Sequence, residues 1–191
     1  MGLNFVPGVR RCLSEHKANL IVKAYRQKYG RGRPRLVGIF ADQPLEEVNR
    51  ILDDCDLDMA QLSGSESLDY CLAIGRPAIK AVHVTMGKTL TEVISSLEPV
   101  LAKLESVNIL PLLDPEVVGA HGGTGATFDW NIAAQLAPLH QFLMGGGLTP
   151  ENVGQVVREI GPWGVDVSSG VETDGVKDPE KISAFVRNGR S

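Results

Sequence analysis

The sequence alternates short apolar runs with segments of helical periodicity, and this alternation repeats seven times along the chain. Strands separated by single helices form parallel sheets through right-handed crossovers, either as an open doubly wound sheet or as a closed barrel. The predicted strands cover residues 3–6, 36–40, 57–62, 78–84, 108–113, 141–144 and 164–167. The repeat therefore restricts the fold to these two α/β architectures.

Helix starts are marked by residues that can accept hydrogen bonds from unpaired backbone N–H groups. Ser14 is predicted to cap the first helix, whose inward face carries Ala18, Ile21, Val22 and Tyr25. Further predicted starts are Pro44, Asp129, Thr149 with Pro150 at the first helical position, and Asp178 with Pro179 in the same arrangement.

Two loops late in the chain combine glycine and serine, which suits an anion-binding site. Three glycines, Gly145, Gly146 and Gly147, separate the sixth predicted strand from a helix start, where backbone N–H groups can face a phosphate. The loop after the seventh strand adds Ser168, Ser169 and Gly170. The first loop alone is equally well explained as a tight turn, but the pair predicts a phosphorylated small-molecule ligand.

The position of these loops decides between the two architectures. A barrel commonly binds phosphate with the loops after its last two strands. A dinucleotide-binding sheet would carry its glycine fingerprint after the first strand, where this chain has PGVRR. We therefore predict a TIM (βα)8-type barrel with parallel strands and about seven of the eight βα units, folded as one domain over residues 1–191.

Charge and cysteine content exclude several other classes. The 23 acidic and 19 basic side chains give a net charge of −4, which disfavours nucleic-acid binding. The three cysteines form no CxxC pair, so neither a metal site nor a disulfide framework is expected, and a reducing compartment fits. The apolar N-terminal start is too short for a signal peptide or a membrane span, so a cytoplasmic protein is expected.

The segments GGTGATFDW, GGGLTPENV and GVDVSSGVETDGVKDPEKI together resemble the C-terminal half of phosphoribosylanthranilate isomerase, an enzyme of tryptophan biosynthesis. Earlier segments, including VPGVRRCLS, LVGIFADQ and LDMAQLSG, extend the resemblance over essentially the whole chain. TPENVG and VETDGVKD are most similar to fungal members, some of which are domains of fused multifunctional enzymes. Partners implied by this resemblance are other tryptophan-pathway domains or a second copy of the chain.

The resemblance implies an Amadori rearrangement of N-(5-phosphoribosyl)anthranilate without metal or organic cofactor. It assigns Asp114 as the general acid and Arg11 as the partner of the anthranilate carboxylate. Without the resemblance, Asp114 would be explained as a helix-capping or solvated carboxylate, and Arg11 as a solvated surface charge. Gln61 is expected to contact substrate or to order the site, and Asp166 either holds substrate hydroxyls or caps neighbouring amides.

Three departures from the family pattern bear on activity. The family's first strand, KICG, whose cysteine is the general base, has no counterpart, so the chain is expected to lack the N-terminal βα unit. Cys12, Cys55 and Cys71 are instead expected to be buried, inert thiols. Ser63 replaces a family histidine, and Ala126 stands where a lysine is frequent.

Alternatives to the isomerase are a non-catalytic phosphosugar-binding barrel, an inactive fragment of a multifunctional enzyme, or another phosphate-binding barrel. The phosphate loops alone are compatible with an indole-glycerol-phosphate synthase or a pentose-phosphate epimerase. GGTGATFDW and Arg11 argue against those two enzymes, because neither feature is expected in them.

Overall fold

The computed structural model describes residues 1–30, 34–85, 87–115 and 128–190, in two compact units, Met1–Lys80 and Ala81–Ser191. In the first unit, parallel strands hydrogen-bond in chain order and alternate with helices. Its elements are β1 (Gly2–Asn4), α1 (Glu15–Tyr29), β2 (Val37–Phe40), α2 (Leu45–Asp54), β3 (Met59–Leu62) and α3 (Leu68–Leu72), followed by β4 (Ala78–Val84), which continues into the second unit.

The second unit repeats the same alternation. Strand β6 lies between β5 and β7, parallel to both. The elements are α4 (Leu90–Ser106), β5 (Leu110–Pro115), α5 (Trp130–Leu136), β6 (Leu143–Met144), α6 (Val153–Glu159), β7 (Gly164–Val165) and α7 (Pro179–Asn188). Between β7 and α7 lie a 3-10 turn (Ser169–Val171) and an antiparallel hairpin of β8 (Glu172–Thr173) and β9 (Val176–Lys177). The seven predicted strand-helix units are therefore confirmed.

Local capping chemistry explains why most helices begin where the sequence predicts. The Ser14 hydroxyl accepts from the Lys17 N–H, and the Asp129 carboxylate accepts from the Asn131 N–H. Asp178 accepts from two N–H groups of α7, with Pro179 at the first helical position. These three starts are confirmed.

Helix α6 begins later than predicted, at Val153 rather than after Thr149. The Asn152 side chain accepts from the Thr149 N–H at 2.8 Å and donates to the Gly147 carbonyl at 3.0 Å. Residues 150–152 consequently form a turn, and the Thr149 hydroxyl accepts from the Glu151 N–H at 3.3 Å. Thr149 therefore makes a capping hydrogen bond as predicted, but the regular helix begins three residues later than expected because residues 150–152 form a turn.

Two further differences concern the N-terminal segment. Strand β1 ends at Asn4, whose side chain accepts from the Val6 N–H, rather than at Val6. On α1, Ala18 and Val22 are buried as expected, but Ile21 is 41% exposed. Strand β7 is also two residues shorter than predicted.

Among the helices of the described segments, none is long and apolar enough to cross a membrane.

Candidate active site

Three neighbouring strands of the second unit end at the same edge of the sheet, and each ends in a residue singled out from the sequence. Asp114 lies near the end of β5, Gly145 follows β6 and Asp166 follows β7. The Gly145 N–H donates to the Leu113 carbonyl at 2.8 Å, and the Asp166 N–H donates to the Met144 carbonyl at 2.9 Å. The strand register therefore brings the predicted acid, the glycine loop and Asp166 side by side.

The two glycine-containing loops contact each other directly. A Cβ atom added at Gly170 would lie 1.8 Å from the carbonyl oxygen of Leu148, so only glycine fits at this contact. Gly146 and Gly147 have φ angles of 83° and 62°, in the left-handed region that favours glycine. Glycine at these positions thus bends the first loop and lets the second approach it.

These loops leave backbone donors available. The N–H groups of Gly146, Gly147, Ser168 and Ser169 donate no hydrogen bond to any other residue within the described parts of the chain. Successive free N–H groups in such loops form concave sites for anions. The geometry therefore suits a phosphoryl group bound by main-chain amides from both loops.

The carboxyl group of Asp114 is suited to donate a proton near neutral pH. Burial and the charge of Asp166 raise the pKa of Asp114 from 3.8 to about 6. At that pKa roughly a tenth of the groups carry a proton at pH 7, far more than for an ordinary aspartate. A Cβ added at Gly145 would lie 3.1 Å from Asp114 Oδ1, so the carboxyl group also lies against the glycine loop that follows β6.

Asp166 has a mixed environment. Burial raises the pKa of its carboxyl group, while the charge of Lys177 and a hydrogen bond from the Val167 N–H oppose this shift. Lys177 Nζ itself donates to the Ser168 carbonyl at 2.7 Å and lies 3.1 Å from Glu172 Oε1. Asp166 is thus linked electrostatically both to the predicted acid and to the hairpin that follows the second loop.

The remaining predicted residues lie in the first unit. Arg11 is in the loop after β1, partly exposed. Gln61, on β3, donates from Nε2 to the Ser63 hydroxyl at 3.3 Å, and Ser63 is buried. The serine at the position of the family histidine is therefore a partner of Gln61. Residues 116–127, including Ala126 and most of GGTGATFDW, lie outside the described residues.

The cysteines divide into two classes. Cys55 and Cys71 are buried as expected, and burial raises the pKa of both thiols, which keeps them protonated. Cys12 is exposed, contrary to expectation, because the loop after β1 carries it to the surface.

The sequence analysis did not predict the β8–β9 hairpin or the role of Lys177 within it. The signal was present in VETDGVK, because an Asp-Gly pair between β-forming residues marks a tight hairpin turn. Asp174 and Gly175 both have positive φ angles, 49° and 77°, as such a turn requires. The contact of Lys177 with the Ser168 carbonyl, however, could be found only from the tertiary structure.

Comparison with known proteins agrees with this geometry. A family model described as N-(5'phosphoribosyl)anthranilate (PRA) isomerase matches residues 1–188. The isomerase of Dehalococcoides mccartyi is 43% identical over 185 residues, covering 97% of this chain and 83% of the relative. That of Saccharomyces cerevisiae is 40% identical over 202 residues, covering 100% and 84%.

A solved structure gives the same result for the fold. The crystal structure of phosphoribosyl anthranilate isomerase from Thermotoga maritima is similar with a TM-score of 0.79 at 29% identity, covering 99% of this chain and 86% of that one. The TIM-barrel class predicted from the sequence, with seven βα units present, is thereby confirmed. This chain belongs to the N-(5'-phosphoribosyl)anthranilate isomerase family.

Proposed function

We propose that this chain isomerises N-(5'-phosphoribosyl)anthranilate to 1-(2-carboxyphenylamino)-1-deoxyribulose 5-phosphate in tryptophan biosynthesis. The observation that carries the proposal is the raised pKa of Asp114 at the end of β5, against the glycine loop that contacts the second loop at Gly170. An acid that is partly protonated near pH 7, beside a main-chain anion site, suits a phosphorylated sugar whose ring must be opened by protonation.

In this proposal Asp114 protonates the furanose ring oxygen as the bond between that oxygen and C1 breaks. The ring opens to an iminium ion, and loss of a proton from C2 gives the enamine that tautomerises to the ketose. The charge of Asp166 favours the protonated form of Asp114 before the reaction. Asp114 then gives its proton to the ring oxygen, which becomes a hydroxyl group, and Asp114 is left as a carboxylate.

The phosphate is held by the loops at Gly145, Gly146 and Gly147 and at Ser168, Ser169 and Gly170. The N–H groups of Gly146, Gly147, Ser168 and Ser169 are its main-chain donors, and the two serine hydroxyls are further donors. Support comes from the free amides on both loops and from the close approach of Gly170 to Leu148. Anchoring the phosphate at one end of the substrate fixes the distance from that end to the ring oxygen, which places the oxygen near Asp114.

Three further residues have proposed roles in the site, two of them as substrate contacts. Arg11 pairs with the anthranilate carboxylate, because a guanidinium can engage both carboxylate oxygens. Gln61 orders the loop after β3 through its hydrogen bond to Ser63. Asp166 accepts a hydrogen bond from a substrate hydroxyl, since its backbone follows β7 beside the glycine loop after β6.

The base that removes the C2 proton is assigned by the family resemblance to a cysteine in a KICG strand. None of the three cysteines, all of which the structure describes, lies at the end of a strand in the seven units. We therefore propose that full activity requires an additional βα unit carrying that base.

The predicted likeness to fungal members stays a prediction, because bacterial and yeast relatives match at 43% and 40% identity.

A cytoplasmic location, and association with a second copy or with other tryptophan-pathway domains, complete the proposal. The three cysteines form no CxxC pair and their number is odd, which supports a reducing compartment. Size-exclusion chromatography with light scattering tests self-association directly.

The test of function is turnover followed by the change in anthranilate fluorescence as substrate disappears. We expect this chain to convert substrate about 10²- to 10⁴-fold more slowly than a version extended upstream by a KICG-containing unit, the usual worth of a general base. Asp114→Asn should remove a similar factor from the extended version, whereas Asp69→Asn, at an exposed position on α3, should not.

Equal rates for the two versions would contradict the requirement for a further base. Full activity of Asp114→Asn would contradict its role as the acid. Binding of the product without any turnover, in both versions, would instead support the non-catalytic phosphosugar-binding alternative.

A further inference from the structure

The hairpin that follows the second phosphate loop is connected back to that loop by one lysine. Lys177 Nζ donates to the Ser168 carbonyl at 2.7 Å and to Glu172 Oε1 at 3.1 Å. Lys177 and Glu172 are direct cross-strand partners of β8 and β9, and the Glu172 side chain is 7% exposed. The lysine therefore has two partners, one within the hairpin and one in the loop.

We propose that Lys177 is a positioning residue for phosphate binding, which holds the Ser168 carbonyl so that the following amides face the phosphoryl group. This inference rests on the proposed function, because it concerns the same phosphate site.

Peptide geometry supplies the reason. In a trans peptide the carbonyl of one residue and the N–H of the next lie in one plane and point in opposite directions. Holding the Ser168 oxygen at Lys177 therefore turns the Ser169 N–H to the opposite side of the chain. That N–H donates to no other described residue, so it remains available to a ligand.

Packing limits the other side of the loop. Gly170 lies so close to the Leu148 carbonyl that no Cβ fits between them. The segment 168–170 is thus held by an ammonium group at its start and by a backbone contact at its end. Between these two constraints the Ser169 amide has a defined direction, and a preorganised donor binds an anion better than one that must be ordered on binding.

The positive charge of Lys177 is a second way in which this residue favours phosphate binding. The strand ends bring two carboxyl groups, Asp114 and Asp166, to the edge where a phosphate dianion is proposed to bind. Burial raises the pKa of Asp166, and the charge of Lys177 opposes this rise. A cation bonded to the phosphate loop reduces the repulsion between that carboxylate and the ligand.

The competing explanation is that Lys177 only stabilises the hairpin through Glu172. The chain offers a variant that separates the two roles, because Glu172→Gln removes the ion pair and leaves the Ser168 contact in place. Lys177→Met removes both contacts, Lys177→Arg retains a cationic donor, and Lys103→Met removes a lysine from the exposed face of α4 as a charge control.

The experiment measures kcat and KM for N-(5'-phosphoribosyl)anthranilate, and the calorimetric Kd for the product, with the full chain and each variant. We expect Lys177→Met to raise KM and the product Kd about 10- to 100-fold, the usual effect of losing a charge-assisted hydrogen bond, with kcat changed only a few-fold. Lys177→Arg should recover part of the loss, and Glu172→Gln and Lys103→Met should stay within about threefold of the parent.

Unchanged product binding in both Lys177 variants would overturn the proposal, and so would an equal loss in Glu172→Gln. A fall in kcat without a change in Kd would also overturn it, since it would place Lys177 in the chemical step. If the parent chain bound product without turning over, the Kd values would still decide the role of Lys177. If the parent bound no product at all, the proposed function itself would fail.

Discussion

Replacing Asp114 with asparagine should stabilise the protein at alkaline pH while removing the proposed general acid. Folding raises the pKa of this carboxyl group from 3.8 to about 6, so the folded state binds its proton more tightly than the unfolded state does. For a raised acid pKa, ionisation costs stability: the penalty is absent below about pH 3.8 and complete above about pH 6. At 1.36 kcal/mol per pKa unit, the shift of about two units lowers the free energy of unfolding by at most about 3 kcal/mol. Because the carboxyl group is partly exposed to water, we expect a loss of about 2 kcal/mol.

The measurement is urea unfolding of the parent and Asp114→Asn between pH 4 and pH 8. We expect equal free energies of unfolding near pH 4 and an advantage of about 2 kcal/mol for the variant at pH 8. Asp69→Asn, on the exposed face of α3, should follow the parent at every pH. A constant difference across this range, or a loss of stability at pH 8, would refute the argument that burial and Asp166 disfavour the ionised form.

Three further predictions test other parts of the structure. Glu66→Gln should lower the free energy of unfolding by about 3–5 kcal/mol, because this 1% exposed carboxylate is ion-paired to a lysine on β4 at 2.9 Å; a loss below about 1 kcal/mol would contradict it. Gly170→Ala should weaken product binding at least about tenfold by forcing the second loop away from Leu148, whereas Gly75→Ala, whose nearest atom would be 3.6 Å away, should leave calorimetric binding unchanged. A thiol reagent should modify Cys12 rapidly in the folded protein and the two buried cysteines only on unfolding, so three fast-reacting thiols would show the burial to be wrong.

Much of the fold could be predicted because its determinants are local. Ser14, Asp129 and Asp178 mark helix starts through hydrogen bonds that span two or three residues, and a nearby sequence suffices to specify them. The later start of α6 is also local in origin. Asn152 bonds to Thr149 and Gly147, and residues 150–152 form a turn before the regular helix begins at Val153.

For the candidate site, the residue types were predictable and their environments were not. Glycine at 145–147 and serine at 168–169 suggested a phosphate, since few other ligands use that combination at strand ends. The sequence did not reveal the neighbours of Asp114, whose pKa depends on burial and on a carboxylate 52 positions later in the numbering, at 166. It also did not reveal that Cys12 is exposed.

The sequence by itself determined the repeating strand-helix order and the glycine positions, because periodicity and short motifs specify them, and the family resemblance singled out Asp114 as the candidate acid. The tertiary structure decided which carbonyl Lys177 holds, how closely Gly170 approaches Leu148 and how far the pKa of Asp114 rises. These quantities depend on distances between residues far apart in the chain. Such distances are fixed only when the parallel strands pair and bring their ends together.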